Sequence, residues 1–250
     1  MSDSRLENER KFHDNRFIQD DDKLRSSVKK YYSINKIAKN KYYQLIKKYS
    51  KDKKLLEYGC GVGDNIDTFN QFGAHVTGID ISEEGIKKTR ELINSSNIEA
   101  DCFVMNVEKT EFNDNHFDVV VGTGIIHHLD LSKIYSETSR ILNKNGHAVF
   151  FEPLGHNPII NLYRKLTPKL RTDDEHPLMN KDLKLLNKYF KNVNIQYFSL
   201  FTLLAVPFRK FIIFKPLFKA LHLLDNLFLK LPFIKNWAWI VVIDVSNPIK

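Results

Sequence analysis

A glycine-rich bend guarded by a carboxylate constrains this chain more than any other stretch. Residues 55–65 read Leu-Leu-Glu-Tyr-Gly-Cys-Gly-Val-Gly-Asp-Asn. Lys54–Glu57 reads as the end of a buried strand. Gly59, Gly61 and Gly63 follow at alternate positions, where they permit a sharp turn and close approach of a ligand to the main chain. A helical pattern begins near Asp64, and a helix start offers free N–H groups. Together these make a strand–turn–helix unit around a nucleotide-type ligand. A dinucleotide fingerprint, G-x-G-x-x-G, needs its third glycine where Asp64 stands. Glu57 lies two residues before the first glycine. A carboxylate there suits a cationic or amine-bearing ligand and repels a pyrophosphate.

From Lys54 onward, strand and helix patterns alternate, which predicts a mostly parallel sheet covered on both faces. Further strands are expected at His75–Asp80, Asp101–Val104, Phe117–Gly122, His147–Glu152, Asn192–Ser199 and Trp237–Val245. Helices are expected at Glu83–Ile93, Leu131–Leu142 and Asn161–Leu166, with Asn145-Gly146 as the turn after the second of these. Asp80 ends the second strand, 21 residues after Gly59. An acidic group at that place accepts hydrogen bonds from ribose hydroxyls. Ser82, followed by Glu83 and Glu84, is the better helix cap, which leaves Asp80 for the ligand.

The bend has the form acidic-x-G-x-G-x-G and resembles motif I of the class I S-adenosylmethionine (SAM) methyltransferases. Three later stretches are similar to the same family: Phe117-Asp118-Val119-Val120-Val121, the run Ile125-Ile126-His127-His128-Leu129-Asp130, and Arg140-Ile141-Leu142 followed by Gly146 and an apolar strand. The histidine run resembles the ubiquinone-biosynthesis (UbiE-like) group of small-molecule methyltransferases. The resemblance covers roughly residues 50–153 and the closing strands. It implies a seven-stranded, mostly parallel Rossmann-like α/β sheet with an antiparallel edge strand and helices on both faces. It also implies an N-terminal helical cap over residues 1–50 and a methyltransferase domain over 51–250. SAM is the implied cofactor and S-adenosylhomocysteine the product, with no metal, because methyl transfer from a sulfonium needs none. The implied cofactor residues are Glu57, Gly59, Gly61, Asp80, Ile81, Asn106, Val107 and Thr123. Asn106 and Val107 fall where the family meets the adenine, although Asp is the usual residue at the first of these. Asp118 is implied to be structural or adenosine-side. One of His127 and His128 is implied to face the site and the other to be structural.

Outside these motifs the chain is individual. The fifth strand runs into Glu152-Pro153-Leu154-Gly155-His156, and Arg171–Pro177 is a dense polar loop. Polar clusters at the carboxyl end of such a sheet are where acceptor contacts sit. Glu152, Arg171 and Asp174 are therefore the substrate candidates. His156 is the first candidate base, with His128 and His176 behind it. His13 reads as a surface histidine, with a place at the site as the alternative. Two segments, 154–192 and 200–236, read as insertions. The second separates the last two strands and mixes Phe and Leu with Arg209, Lys210, Lys215, Lys219, Lys230 and Lys235. It lacks the ~18-residue apolar run of a spanning helix. A lid, an interfacial amphipathic helix pair and a dimer face all fit it.

Charge sharpens this contrast. Residues 151–250 hold 15 Lys or Arg against 7 Asp or Glu, whereas residues 1–150 hold 23 of each sign, so the whole net charge of +8 lies in the last hundred residues. That bias points to an anionic substrate or an anionic membrane surface. Cys60 and Cys102 make no disulfide framework or metal cluster, and the N-terminus is too polar for a signal peptide. The expected place is the cytoplasm, with peripheral contact at the inner membrane face. The expected activity is SAM-dependent methyl transfer to a hydroxyl of a small or lipid-linked molecule of glycolipid or secondary-metabolite type. A non-catalytic SAM-binding or membrane-associated partner protein is the alternative. Asp64 and Glu57 disfavour a nicotinamide oxidoreductase. Nucleic acid is not expected as a partner, because Gly122-Thr123-Gly124-Ile125 stands where nucleic-acid methyltransferases carry an Asn-Pro-Pro-Tyr type motif. The cofactor reading requires Glu57 and Asp80 to share one cavity.

Overall fold

The computed structural model describes residues 2–19, 22–167 and 176–250. Two helices lead, α1 (Ser2–Ile18) and α2 (Asp22–Ser50). There follow β1 (Lys53–Tyr58), α3 (Ile66–Gln71), β2 (Ala74–Asp80), α4 (Glu83–Ser96), β3 (Ala100–Val104), β4 (Phe117–Thr123), α5 (Leu131–Ile141) and β5 (Leu142–Pro153). The chain closes with α6 (Pro158–Leu166), α7 (Asn180–Leu185), β6 (Phe190–Phe198), α8 (Phe214–Phe228) and β7 (Ile240–Pro248). The sheet order is β3-β2-β1-β4-β5-β7-β6. β1 to β5 are parallel, and β7 runs antiparallel to both β5 and β6.

The central strands are apolar on both faces because both faces are covered. Leu56, Tyr58, Val120 and Phe150 point into one core, against Ile134 and Tyr135 of α5. Leu55, Val119, Val121 and Val149 point into the other, against Tyr42 and Ile46 of α2 and Phe69 of α3. Glu57 shares the side of α2 and α3 by the period of two along a strand. Local signals set the helix starts. Ser82 Oγ accepts from Gly85 N at 2.9 Å to cap α4, and Asp130 Oδ1 accepts from Ser132 N at 3.0 Å to cap α5.

Three boundaries differ from expectation. Asn143–Gly146 is not a free turn but an irregular start to β5, since Phe117 pairs with Leu142 while Val119 pairs with His147. Asn143 Nδ2 donates to Asp118 Oδ1 at 2.9 Å, and Lys54 N donates to Asp118 Oδ2 at 3.1 Å. Asp118 thus ties two strand starts together, at the end of the sheet away from the glycine bend. The last strand begins at Ile240 rather than Trp237, because a 3₁₀ turn occupies Ile234–Trp237. The 200–236 insertion is one helix, α8, between 3₁₀ turns at Phe201–Phe208 and Ile234–Trp237, and not a helix pair.

Phe150 is fully buried in a central strand. Phe150→Ala should cost about 3–5 kcal/mol, as truncations of large core side chains do. Urea unfolding followed by circular dichroism reads this directly, and a cost below about 1 kcal/mol would mean that the core collapses around the gap.

Candidate functional site

The bend after β1 turns as its glycines require. Gly59, Gly61 and Gly63 have φ of 65°, 56° and 84°, in the left-handed region that side chains disfavour. A Cβ on Gly59 would lie 2.6 Å from Ile125 Cδ1, so the loop after β1 packs directly on the loop after β4. At the next glycine, Gly61 N donates to Asp80 Oδ2 at 2.8 Å, while Ser82 N donates to Asp80 Oδ1 at 2.9 Å. Asp80 is thereby aimed by the backbone on each side of it. Burial pushes its carboxyl up, and these two N–H groups pull the other way.

Glu57 is the most constrained charge in the site. It is 3% exposed. Asn65 Nδ2 donates to its Oε1 at 2.7 Å, and Tyr43 Oη donates to Asn65 Oδ1 at 2.7 Å. Asn65 stands at the cap position of α3 but makes no capping bond with its side chain, because both ends of its amide are committed to this chain. The other oxygen, Glu57 Oε2, has no hydrogen-bond partner among the described residues. Desolvation, with Asp64 and Asp80 nearby, lifts the Glu57 carboxyl to about 8. An orphaned, buried carboxylate oxygen is expensive unless a cationic donor reaches it.

These groups line a single cavity of about 340 Å³. All eight cofactor candidates from the sequence are on its wall: Glu57, Gly59 and Gly61 from the bend, Asp80 and Ile81 from the end of β2, Asn106 and Val107 after β3, and Thr123 at the end of β4. Glu57 and Asp80 therefore share the space. Of the three candidate bases, His128 lines the cavity. Its Nδ1 lies 3.5 Å from Glu9 Oε1.

Several candidates lie elsewhere. His156 Nε2 accepts from Asn180 N at 3.2 Å, and His176 is exposed, so neither stands on the cavity wall. Glu152 is wholly buried and also off the wall. Ile125 N and Ile126 N donate to its Oε1 at 2.9 and 3.0 Å, and its Oε2 lies 2.7 Å from His127 Nδ1. Its contacts make it the anchor of the loop that carries His128, because its acceptor oxygens are taken up by that loop. Arg171 and Asp174 lie outside the described residues.

One wall comes from α1, whose inward-facing residues, His13 apart, the sequence did not single out. α1 contributes Arg5, Glu9, His13 and Phe17 to the cavity, so His13 is no surface residue. Arg5 Nη1 donates to His128 O at 2.6 Å, and its other nitrogen pairs with Glu108. Ser82 Oγ donates to Asp14 Oδ1 at 2.5 Å, and Lys88 Nζ to Phe17 O at 2.6 Å. The available signal was Glu9 and His13 one turn apart, with Phe17 a further turn on. Charge on every side of the helix hid that face. No cluster of three or more metal-ligating side chains occurs among the described residues.

The pH dependence of Glu57 has a definite sign. A carboxyl raised from about 4.3 in the unfolded chain to about 8 in the fold binds its proton more tightly when folded. Its contribution is complete below the unfolded value and is lost as pH rises towards 8. Glu57→Gln should therefore melt progressively higher than the native protein, both free of ligand, between pH 5 and 8, by thermal scanning. A difference that stays flat with pH would contradict a raised carboxyl.

Comparison with known proteins agrees with this geometry. The family described as "Methyltransferase domain" matches residues 56–150. An uncharacterized protein of Haemophilus influenzae is 31% identical over 127 residues, 47% of this chain and 51% of that one. A ubiquinone biosynthesis O-methyltransferase of Nitrosomonas europaea is 30% identical over 141 residues, 55% and 59% of the two chains. The chain thus spans about half the length of these curated relatives. Among solved structures, a Haemonchus contortus phosphoethanolamine N-methyltransferase 2 with S-adenosylhomocysteine has a TM-score of 0.62 at 17% identity, covering 84% of this chain and 53% of that one. A Streptomyces coelicolor geranyl diphosphate C-methyltransferase, also with S-adenosylhomocysteine, scores 0.60 at 15% identity, covering 84% and 80%. Residues 56–150 thus match a methyltransferase-domain family, and the chain shares its fold with these two solved methyltransferases.

Proposed function

We propose that this chain binds SAM in the cavity around Glu57 and transfers its methyl group to a hydroxyl of a small or lipid-linked acceptor. The observation that carries the reading is Glu57, buried with one unpartnered oxygen, among the residues that line a cavity already edged with acid. It fits an ammonium donor, and Asp64 and Asp80 favour a ligand with net positive charge. In this reading Glu57 receives the amino end of the methionine moiety, and Asp80 accepts from the ribose hydroxyls. Asn106 faces the adenine edge, while Val107 packs on its ring. When bound, SAM supplies a carbon already activated by a positive sulfur.

The rest of the task falls to the chain: holding the acceptor in line, excluding water and taking up a proton. α1 closes one side of the cavity with Phe17. His128 is the proton acceptor, since it stands on the cavity wall with Glu9 beside it. Glu152 fixes the loop from which His128 projects and acts as a positioning residue. The ubiquinone-pathway O-methyltransferase among the relatives supports a hydroxyl acceptor.

Titration calorimetry should show SAM binding and no binding of NADH; the opposite pattern rejects the proposal. Asp80→Ala should weaken SAM by about 1–3 kcal/mol, roughly 5- to 150-fold, with an unchanged circular-dichroism spectrum. His128→Asn should keep SAM affinity and lower labelled-methyl transfer into a cell extract by about 10²- to 10⁴-fold. Binding without transfer by the native chain would instead identify a SAM-binding protein that is not an enzyme.

A further inference from the structure

The segment between β6 and β7 leaves and re-enters the sheet at the cavity end. Phe198, the last residue of β6, pairs with Ile240, the first of β7, which in turn pairs with Pro153 at the end of β5. Phe151, two residues before Pro153, pairs with Thr123 on the cavity wall. Residues 199–239 are therefore built out from the rim where the parallel strands end.

This segment has a small interior of its own. Leu203 and Val206 pack with Ile34 of α2, Ile160 of α6, and Phe214 and Phe218 of α8. Its one acidic residue, Asp225, is 3% exposed. Asp225 accepts from Phe201 N at 2.6 Å and Thr202 Oγ1 at 2.7 Å, pinning the 3₁₀ turn onto α8. Its carboxylate is thus spent inside.

What remains outside is apolar and cationic. Ile212 is 99% exposed and Phe233 86%. They sit in the turns at opposite ends of α8, about 22 Å apart for a 15-residue helix. Between them α8 exposes Leu223 and Leu227, one turn apart. Neighbouring α6 exposes Ile159, Leu162 and Leu166 at helical spacing. Arg209 and Lys210 flank the first turn, and Lys230 flanks the second. Lys215 and Lys219 are exposed along α8. An unpaired apolar surface of this extent marks an interaction site. The exposed charges of residues 200–236 are all positive.

We infer that the 200–236 segment, with the outer face of α6, docks on an anionic lipid bilayer. Charge complementarity selects that occupant. Large side chains that no described residue covers enter the boundary of the acyl chains, while Lys and Arg beside them meet the headgroups. A second copy of this chain would bring the same positive surface against itself and would be repelled. No helix among the described residues is long and apolar enough to cross a membrane, so the contact lies on the surface. It holds the cavity rim towards the bilayer. The inference does not depend on the methyl-transfer reading.

Flotation of the full chain with phosphatidylcholine vesicles, with and without phosphatidylglycerol, tests this. The chain should float with the phosphatidylglycerol vesicles at low salt, about tenfold or more better than with phosphatidylcholine alone, and should be released as salt rises. Ile212→Asp with Phe233→Asp, and separately Lys210→Glu with Lys230→Glu, should each weaken binding about tenfold or more. Melting temperature and SAM affinity should stay native in both variants. Absence of binding to anionic vesicles, or native binding by both variants, would overturn the inference. So would a dimer in sedimentation that Ile212→Asp with Phe233→Asp dissociates, if the vesicles bring up nothing.

Discussion

A carboxylate kept dry at the tip of β1 is the constraint on which the site depends. Glu57 stands beside Asp64 and Asp80 in a place that disfavours charge. Its neighbours are arranged to serve it: Asn65 forgoes capping α3, and Tyr43 spends its hydroxyl on Asn65. Neither choice favours local stability. Both fix the direction of one oxygen and leave the second without a partner among the described residues. Local rules broken around one buried group are where a functional site is expected.

The two walls of the cavity differ in how they are held. The bend, the end of β2 and the end of β4 are continuous with a sheet buried on both faces. α1 buries only Phe17 and Glu9 among its described side chains, and it is fastened by Arg5, Asp14 and the Lys88 ammonium. One wall is thus set by packing and the other by polar contacts between segments far apart in sequence. Glu152 performs a comparable service from below, because a single buried side chain fixes the loop after β4 through two backbone N–H groups and His127.

The sheet and the sheet-borne lining of the cavity were legible because their signals are local. Alternate glycines, an acidic residue at a strand end and runs such as Val119-Val120-Val121 each dictate structure within a few residues. Asn143–Gly146 misled, since a turn dipeptide and a strand irregularity look alike until the partner strand is known. His156 and Glu152 misled for a related reason. Polarity at the carboxyl rim says that a side chain has polar business, but not whether that business is with a ligand or with a backbone. The cap was expected but its inward face was illegible, because a helix charged on all sides shows no face until something packs on it.

The insertion carries a consequence for how such chains diversify. Its two ends, Phe198 and Ile240, are hydrogen-bonded neighbours, so whatever lies between them leaves the strand register untouched. Doubling the length of a loop so closed costs only about 0.6 kcal/mol of chain entropy. The appendage can therefore be lengthened, trimmed or replaced without disturbing the residues that line the cavity.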